Sequence, residues 1–429
     1  MINRYEIKEI SSLWTDEAKF NYYLRVEVAH LETLALDGVV DQGIVKKISQ
    51  ATVNPERILE IEKTTNHDVI AFCTSITEQL SPAEGRYFHF GLTSSDIIDT
   101  AHALIIKDSM KIIENDLQEL KKTLREKALE TASLLCLGRS HGISAEAMIF
   151  GQKFLSFEAE LNRRIKEWQE ASNELTGQLS GAVGNYTVVN PESEEKTLKK
   201  LNLKVEAVST QVIPRDHYAK IVSLGALIGT LFERMATELR LLQHSDIDEV
   251  KEGFSKGQKG SSTMPHKKNP ISSENITGMA RVLRSHVTPA LENCVLWHER
   301  DISHSSVERM ILPDHFGLLA YSARRMKNVF QNLVIDRVKI ESKVSSNEKV
   351  FSSYVLHKLI ERNPDVKRED LYEVVQDSFF RSNNKSELIS NLELSLNQKK
   401  FIHDVSSWVD LENLRSHYEK QFQALLIRN

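Results

Sequence analysis

The stretch IIDTAHALIIKDSMKIIENDLQELKKTLREKA, residues 97–128, decides the fold. Ile97, Ala101, Leu104, Ile113, Leu117, Leu120, Leu124 and Ala128 recur at three- and four-residue steps or their multiples, with Lys and Glu on the opposite face. That pattern predicts one helix of many turns, and Thr93-Ser94-Ser95-Asp96 just before it supplies N-cap candidates. No proline lies between Pro82 and Pro191 or between Pro214 and Pro265, so both intervals permit long helices. In the second, Ile221, Leu224, Ile228, Leu231, Met235, Leu239 and Leu242 repeat the stripe, while Gly225 and Gly229 let a neighbouring helix approach closely.

Working outward, the expected fold is all-α, with three helical domains: residues 1–93, a long central bundle at 94–341, and a shorter helical part at 342–429. The polar stretch Ser345-Ser346-Asn347-Glu348 marks a loop before the last part. Sustained period-two alternation is missing, so no substantial β-sheet is expected.

Composition removes several classes of function. The 429 residues suit two or three packed units, and no apolar run approaches the roughly 20 residues that span a bilayer. A net charge of −5 with interleaved signs offers no basic field for a nucleic acid backbone, although a single phosphate can still bind. Cys73, Cys136 and Cys294 lack metal-type spacing and suit free thiols in a reducing, cytoplasmic setting. The N-terminus carries charges at once and has no apolar core segment, so no secretory signal is expected. No Gly-x-Gly-x-x-Gly after a strand, Walker loop, His-Glu-x-x-His or paired Cys-x-x-Cys is present, so neither a nucleotide cofactor nor a metal is expected.

Four segments carry residue types that do chemistry. Residues 255–270, SKGQKGSSTMPHKKNP, are rich in Gly, Ser and Lys between two helical stretches and read as a mobile loop. Asn269-Pro270 looks like an N-cap and first helical position, so backbone N–H groups and Lys267 can face one anion. A solvated linker is the other reading. Gly138-Arg139-Ser140-His141-Gly142 places a group that titrates near neutrality after an apolar run, where it is either a proton donor or a structural histidine. Thr65-Asn66-His67-Asp68 and His89 to Asp96 combine an imidazole–carboxylate pair with hydroxyls at a helix start, fit for a carboxylate or for plain capping. Finally, Trp297 to Arg309 holds Arg300, Ser305 and Arg309 at helical reach, a phosphate clamp or a solvated charged face.

The run Gly260-Ser261-Ser262-Thr263-Met264-Pro265-His266-Lys267-Lys268-Asn269-Pro270 closely resembles the signature of the fumarase and aspartase superfamily, whose members cleave C–N or C–O bonds and release fumarate. Within it, Arg4-Tyr5, Thr65 to Val69, His89 to Asp96 and Trp297 to Arg309 look like the adenylosuccinate lyase family, from the first residues to about residue 313. The resemblance implies a homotetramer on a central helical bundle, with each active site assembled from three subunits. It also implies two eliminations, adenylosuccinate to AMP and the succinyl-carboxamide ribotide of purine synthesis to its amide.

Carried over residue by residue, Ser261 corresponds to the general base, with Ser262 its neighbouring candidate, and His141 to the general acid, paired with Glu274. Lys267 and Asn269 suit the charge that spreads into a carboxylate when its β-proton leaves. Thr93, Ser94, Gln211, Lys267 and Asn269 look like binders of the succinyl carboxylates. Arg4, Tyr5, Arg300, Ser305 and Arg309 look like the phosphate and ribose side, with His67 and Asp68 positioning the substrate. The chain departs at Ala147-Met148-Ile149, where many relatives read Pro-Thr-Thr; this bears on hydrogen bonding near His141 and on substrate preference. Another fumarate-releasing lyase, such as argininosuccinate lyase, and a non-catalytic helical scaffold are the competing readings; Arg300 with Arg309 argues against the first, and the presence of His141, Ser261 and Lys267 against the second.

Overall fold

The computed structural model describes residues 2–254, 257 and 260–429, so Ser255, Lys256, Gln258 and Lys259 of the expected loop lie outside the described residues. The architecture is helical, as the stripes require. The elements that position the site are α1 (Asp16–Leu36), α2 (Asp68–Thr77), α3 (Ser94–Glu130), a hairpin of β1 (Leu135–Ser140) and β2 (Ile143–Ile149), α4 (Gly151–Asn173), α5 (Asp216–Leu242), α6 (Ile271–Ser285) and α7 (Ser303–Gln331). Shorter helices between Arg337 and Arg428 form the C-terminal part. By packing the chain divides into two compact units, each assembled from three stretches: 1–119, 163–234 and 275–326, and 120–162, 235–274 and 327–429. That partition differs from a linear one at residues 93 and 341, because the longest helices pass from one unit into the other.

All eight stripe residues of α3 are buried, and so are those of α5 except Leu224, which is half-buried. Each fully buried Leu or Ile contributes about 2 kcal/mol over its exposed state, so these faces fix which side of each helix turns inward. The first unit closes around Trp168, whose Nε1 donates to the Met110 carbonyl at 3.0 Å and whose ring meets Phe316. A Cβ on Gly225 would lie 2.1 Å from His315 Nε2, and one on Gly229 would lie 2.7 Å from Leu283, so α7 and α6 approach α5 at the two glycines singled out by sequence. In the second unit Phe154 lies edge-on to Phe150 and Phe330, and Arg125 donates to Glu158 at 2.8 Å.

The hairpin is the feature that periodicity did not reveal. Strands β1 and β2 pair antiparallel from Leu135↔Ile149 to Ser140↔Ile143, with an irregularity around Gly138. Its two-residue turn is His141-Gly142, with φ of 55° and 78°, the double positive φ of a tight hairpin turn. Two further strand pairs, of two residues each, complete the β-structure among the described residues.

One ion cluster locks the first unit where α3 and α7 begin. Arg215 donates to Asp99 through both terminal nitrogens at 2.6 and 2.9 Å, and to Glu308 through Nε at 2.9 Å, with all three side chains buried. Two carboxylates thus share one guanidinium. Burial works to raise Asp99, but Arg215 outweighs it and holds that carboxyl below its usual value. Burial raises Glu308 to about 7 against the pull of Arg215. A carboxyl held higher in the folded chain than its ordinary 4.5 binds its proton more tightly when folded, so its contribution to stability falls as pH rises through about 7. The urea midpoint should therefore drop between pH 5.5 and 8, and Glu308→Gln should flatten that slope; an unchanged slope contradicts the assignment.

Candidate functional site

In the second unit the hairpin presents His141 at its exposed turn. Two residues earlier, Arg139 grips buried Glu249 through both terminal nitrogens, one at 3.2 Å, and Lys343 reaches the same carboxylate at 3.4 Å. Glu249 therefore fixes the base of the turn. The departing residues Ala147, Met148 and Ile149 pair with Leu137, Cys136 and Leu135, at the end of the hairpin away from His141. Ala147 and Ile149 point inward, so the departure is absorbed as packing.

Three residues after Glu249, Glu252 governs the signature loop. Its carboxylate accepts from the Ser272 N–H at 3.1 Å, the Ser273 N–H at 2.7 Å and the Ser273 hydroxyl at 2.6 Å. This corrects the expectation for Asn269-Pro270: α6 begins at Ile271, its first N–H groups face Glu252, and the Asn269 side chain instead donates to the Gly260 carbonyl at 2.9 Å. The helix N-terminus is an anion site, as expected, but a protein carboxylate fills it. Across the loop neck, a Cβ on Gly260 would lie 2.1 Å from the Lys267 carbonyl, so only glycine fits there. Ser261 Oγ accepts N–H bonds from Thr263 at 3.3 Å and Met264 at 3.0 Å. Lys267 and Ser262 are exposed, and Glu274 lies in the first turn of α6.

In the first unit, the start of α3 forms a second cluster. Asp96 accepts from the Thr93 N–H at 2.8 Å and the Ser180 N–H at 3.1 Å, and both of its oxygens face the Gly181 N–H. Thr93 and Ser94 are thereby fixed against the turn at 180–181. His67 caps α2: its Nδ1 accepts from Ile70 N–H, so Nε2 carries the proton and lies 3.4 Å from Ser94 Oγ. Asp68 accepts from Arg309 at 3.1 Å. Arg300 donates to Gln211 Oε1 at 2.8 Å, and Gln211 Nε2 donates to the Ala182 carbonyl at 2.7 Å. Residues expected on the carboxylate side and on the phosphate side are thus interleaved in one cluster. Ser305 stands in the first turn of α7.

Arg4 and Tyr5 are not brought to that cluster within one chain. The Tyr5 ring packs on Tyr321 at 5.1 Å, and Tyr321 lies 12 residues beyond Arg309 on α7, about 18 Å along a helix. The turn at 180–184, Glu249 and Glu252 were not singled out from sequence, and Asp96 and Arg139 stood there only as members of their segments, without the anchoring contacts the fold gives them. Only the small-residue run Ser180-Gly181-Ala182-Val183-Gly184 carried a signal, since a Cβ on Gly184 would lie 2.3 Å from the Ser209 carbonyl.

A family model described as Lyase matches residues 4–284. The chain is similar to the adenylosuccinate lyase of Aquifex aeolicus, 39% identical over 434 residues that cover 98% of this chain and 99% of the relative. It is 44% identical to that of Helicobacter pylori over 88% of this chain and 86% of the relative, and 42% identical to that of Thermotoga maritima over 88% and 87%. Among solved structures, a fumarate lyase from a Mesorhizobium species superposes with a TM-score of 0.85 at 19% identity, covering 99% of both chains. A 3-carboxy-cis,cis-muconate lactonizing enzyme from Pseudomonas putida superposes at 0.84 and 22% identity, covering 99% of this chain and 96% of that one. These two likenesses concern the fold alone.

If Glu252 holds the end of the signature loop, Glu252→Ala should cost about 1–2 kcal/mol in urea unfolding, the value of a lost helix cap; no loss contradicts that role.

Proposed function

The chain belongs to the adenylosuccinate lyases of the fumarase/aspartase superfamily, and from that premise we propose that it eliminates fumarate from a succinyl-amino nucleotide. Its reactions are adenylosuccinate to AMP and succinyl-aminoimidazole-carboxamide ribotide to the carboxamide ribotide, both in purine nucleotide biosynthesis. The observation that carries the reading is the signature loop held intact in a chain that aligns with such a lyase over 98% of its length.

The step removes a proton from the carbon next to one succinyl carboxylate and breaks the bond from the neighbouring carbon to nitrogen. Ser261 is the base. A serine hydroxyl is weakly basic, and the Thr263 and Met264 N–H groups aimed at its oxygen lower the energy of the alkoxide. Loop closure excludes water from that oxygen and makes closure part of catalysis. The electron pair left on carbon spreads into the carboxylate, where Lys267 and Asn269 supply a cation and a donor. His141 gives its proton to the departing nitrogen and Glu274 orients that imidazole. Thr93, Ser94 and Gln211 take the succinyl carboxylates, with His67 and Asp68 positioning the substrate. Arg300, Ser305 and Arg309, with Arg4 and Tyr5, take the phosphate and ribose. Arg309 and Arg300 now have Asp68 and Gln211 as partners, which the substrate's anions replace.

The working form is a homotetramer whose sites are shared between subunits. Two features support this: Arg4 and Tyr5 stand away from Arg309 in one chain, and Trp297, Ile302 and Met310 beside the cluster are 77%, 69% and 73% exposed. Among the described residues no helix is long and apolar enough to cross a membrane, and the three cysteines are free, which suits the cytoplasm.

The purified protein should release fumarate from adenylosuccinate and none from argininosuccinate; fumarate from the second substrate alone overturns the substrate, and none from either favours a scaffold. Ser261→Ala and His141→Ala should each lower kcat by about 10²-fold or more. Near-normal turnover in Ser261→Ala, with His141→Ala inactive, overturns the base.

A further inference from the structure

Arg4 and Tyr5 stand on a single 3₁₀ turn, Asn3–Tyr5, that has no side-chain cap. So short a turn has little stability of its own, and its contacts with α7 decide where the two residues lie. The half-buried Tyr5 ring packs on Tyr321, and four residues further on Glu9 accepts from Arg324 at 2.9 Å. The same guanidinium donates through Nε to Asp116 of α3 at 2.8 Å, so the second tie is itself anchored. Arg4 remains exposed.

The hydroxyl of Tyr321 faces a different element. It accepts from Arg325 Nη1 at 2.9 Å and lies 3.0 Å from Asn275 Oδ1. A guanidinium only donates, so the hydroxyl proton goes to Asn275, and the bonds run one way, from Arg325 through Tyr321 to Asn275. Burial raises this hydroxyl above its ordinary value, against the pull of the Arg325 and Arg4 charges, so it keeps the proton that it donates. Asn275 is half-buried in α6 and directly follows Glu274. One side chain on α7 therefore touches the Arg4-Tyr5 turn with its ring and the start of α6 with its oxygen.

We infer that Tyr321 is a positioning residue for the elimination: its ring seats Arg4 and Tyr5 for the phosphate and ribose, and its hydroxyl, with Arg325, fixes the turn of α6 that carries Glu274. This deepens the lyase reading and rests on it. The two ends of the side chain act on different quantities. Seating the turn that meets the phosphate sets how tightly the nucleotide is held, whereas a shift of about 1 Å in the turn that orients the acid is felt in the rate of the bond-breaking step.

Product inhibition of fumarate release separates the two ends, since AMP takes the phosphate side and fumarate the carboxylate side. Tyr321→Leu should raise the inhibition constant of AMP roughly tenfold and leave that of fumarate unchanged. Tyr321→Phe, which keeps the ring, should restore AMP inhibition but lower kcat about fivefold. Asn275→Ala should lower kcat by the same factor, and the double variant of Tyr321→Phe with Asn275→Ala should lose no more than either alone. Equal weakening of both products in Tyr321→Leu marks a general loss of structure and overturns the inference, as does unaltered AMP inhibition in that variant. Should Tyr321→Leu fail to fold, the cycle between Tyr321→Phe and Asn275→Ala decides, and additive losses or none overturn the role. No fumarate from the unsubstituted protein overturns the lyase reading and this inference with it, whereas normal release with additive losses overturns the role of Tyr321 alone.

Discussion

Two buried carboxylates three residues apart, Glu249 and Glu252, set the geometry of both moving parts of the proposed chemistry. Glu249 holds Arg139 at the base of the His141 turn, and Glu252 holds the first N–H groups of α6, where the signature loop ends. Between them Val250 and Lys251 pair with Ile335 and Val334, which makes the segment a fixed post. A buried carboxylate is stable only when its lone pairs are taken, so neither arm can drift without leaving a charge unpaired in the interior. The turn proposed to carry the acid and the loop proposed to carry the base are therefore aimed, in each chain, by one short segment.

The first unit follows a related logic. Arg215 joins Asp99 near the start of α3 to Glu308 near the start of α7, which holds the Thr93–Ser94 corner and the Ser305–Arg309 turn in one framework. Around that framework the residues assigned to substrate already satisfy one another: His67 with Ser94, Asp68 with Arg309, Gln211 with Arg300. In the proposed function a dianionic succinyl group and a phosphate take the place of these internal partners, so the charged groups are never left bare.

Most of the helical architecture was legible because it rests on apolar periodicity. The α3 stripe is buried throughout, and Gly225 and Gly229 do receive neighbouring helices. The hairpin was not legible, since β1 is buried at one end and exposed at the other and so does not alternate. Its cue was local, the His141-Gly142 pair. Within the candidate site, the signature residues stood out as side chains suited to proton transfer and charge. The carboxylates that position them did not, because Glu249 and Glu252 look like any surface glutamate until the fold buries them against Arg139 and α6. Asn269 misled for a related reason: its type suits a cap, but Glu252, distant from it in sequence, takes the N–H groups first.

The claim that rests on all of this is that a serine on the signature loop removes the carbon-bound proton while a histidine from another copy's hairpin protonates the nitrogen. Mixing the separately inactive His141→Ala and Ser261→Ala proteins, allowing subunits to exchange, and following fumarate release from adenylosuccinate tests it most directly. Restored release is the expected result, since some mixed sites then hold both intact residues. A reassembled mixture as inactive as its two parents contradicts the account.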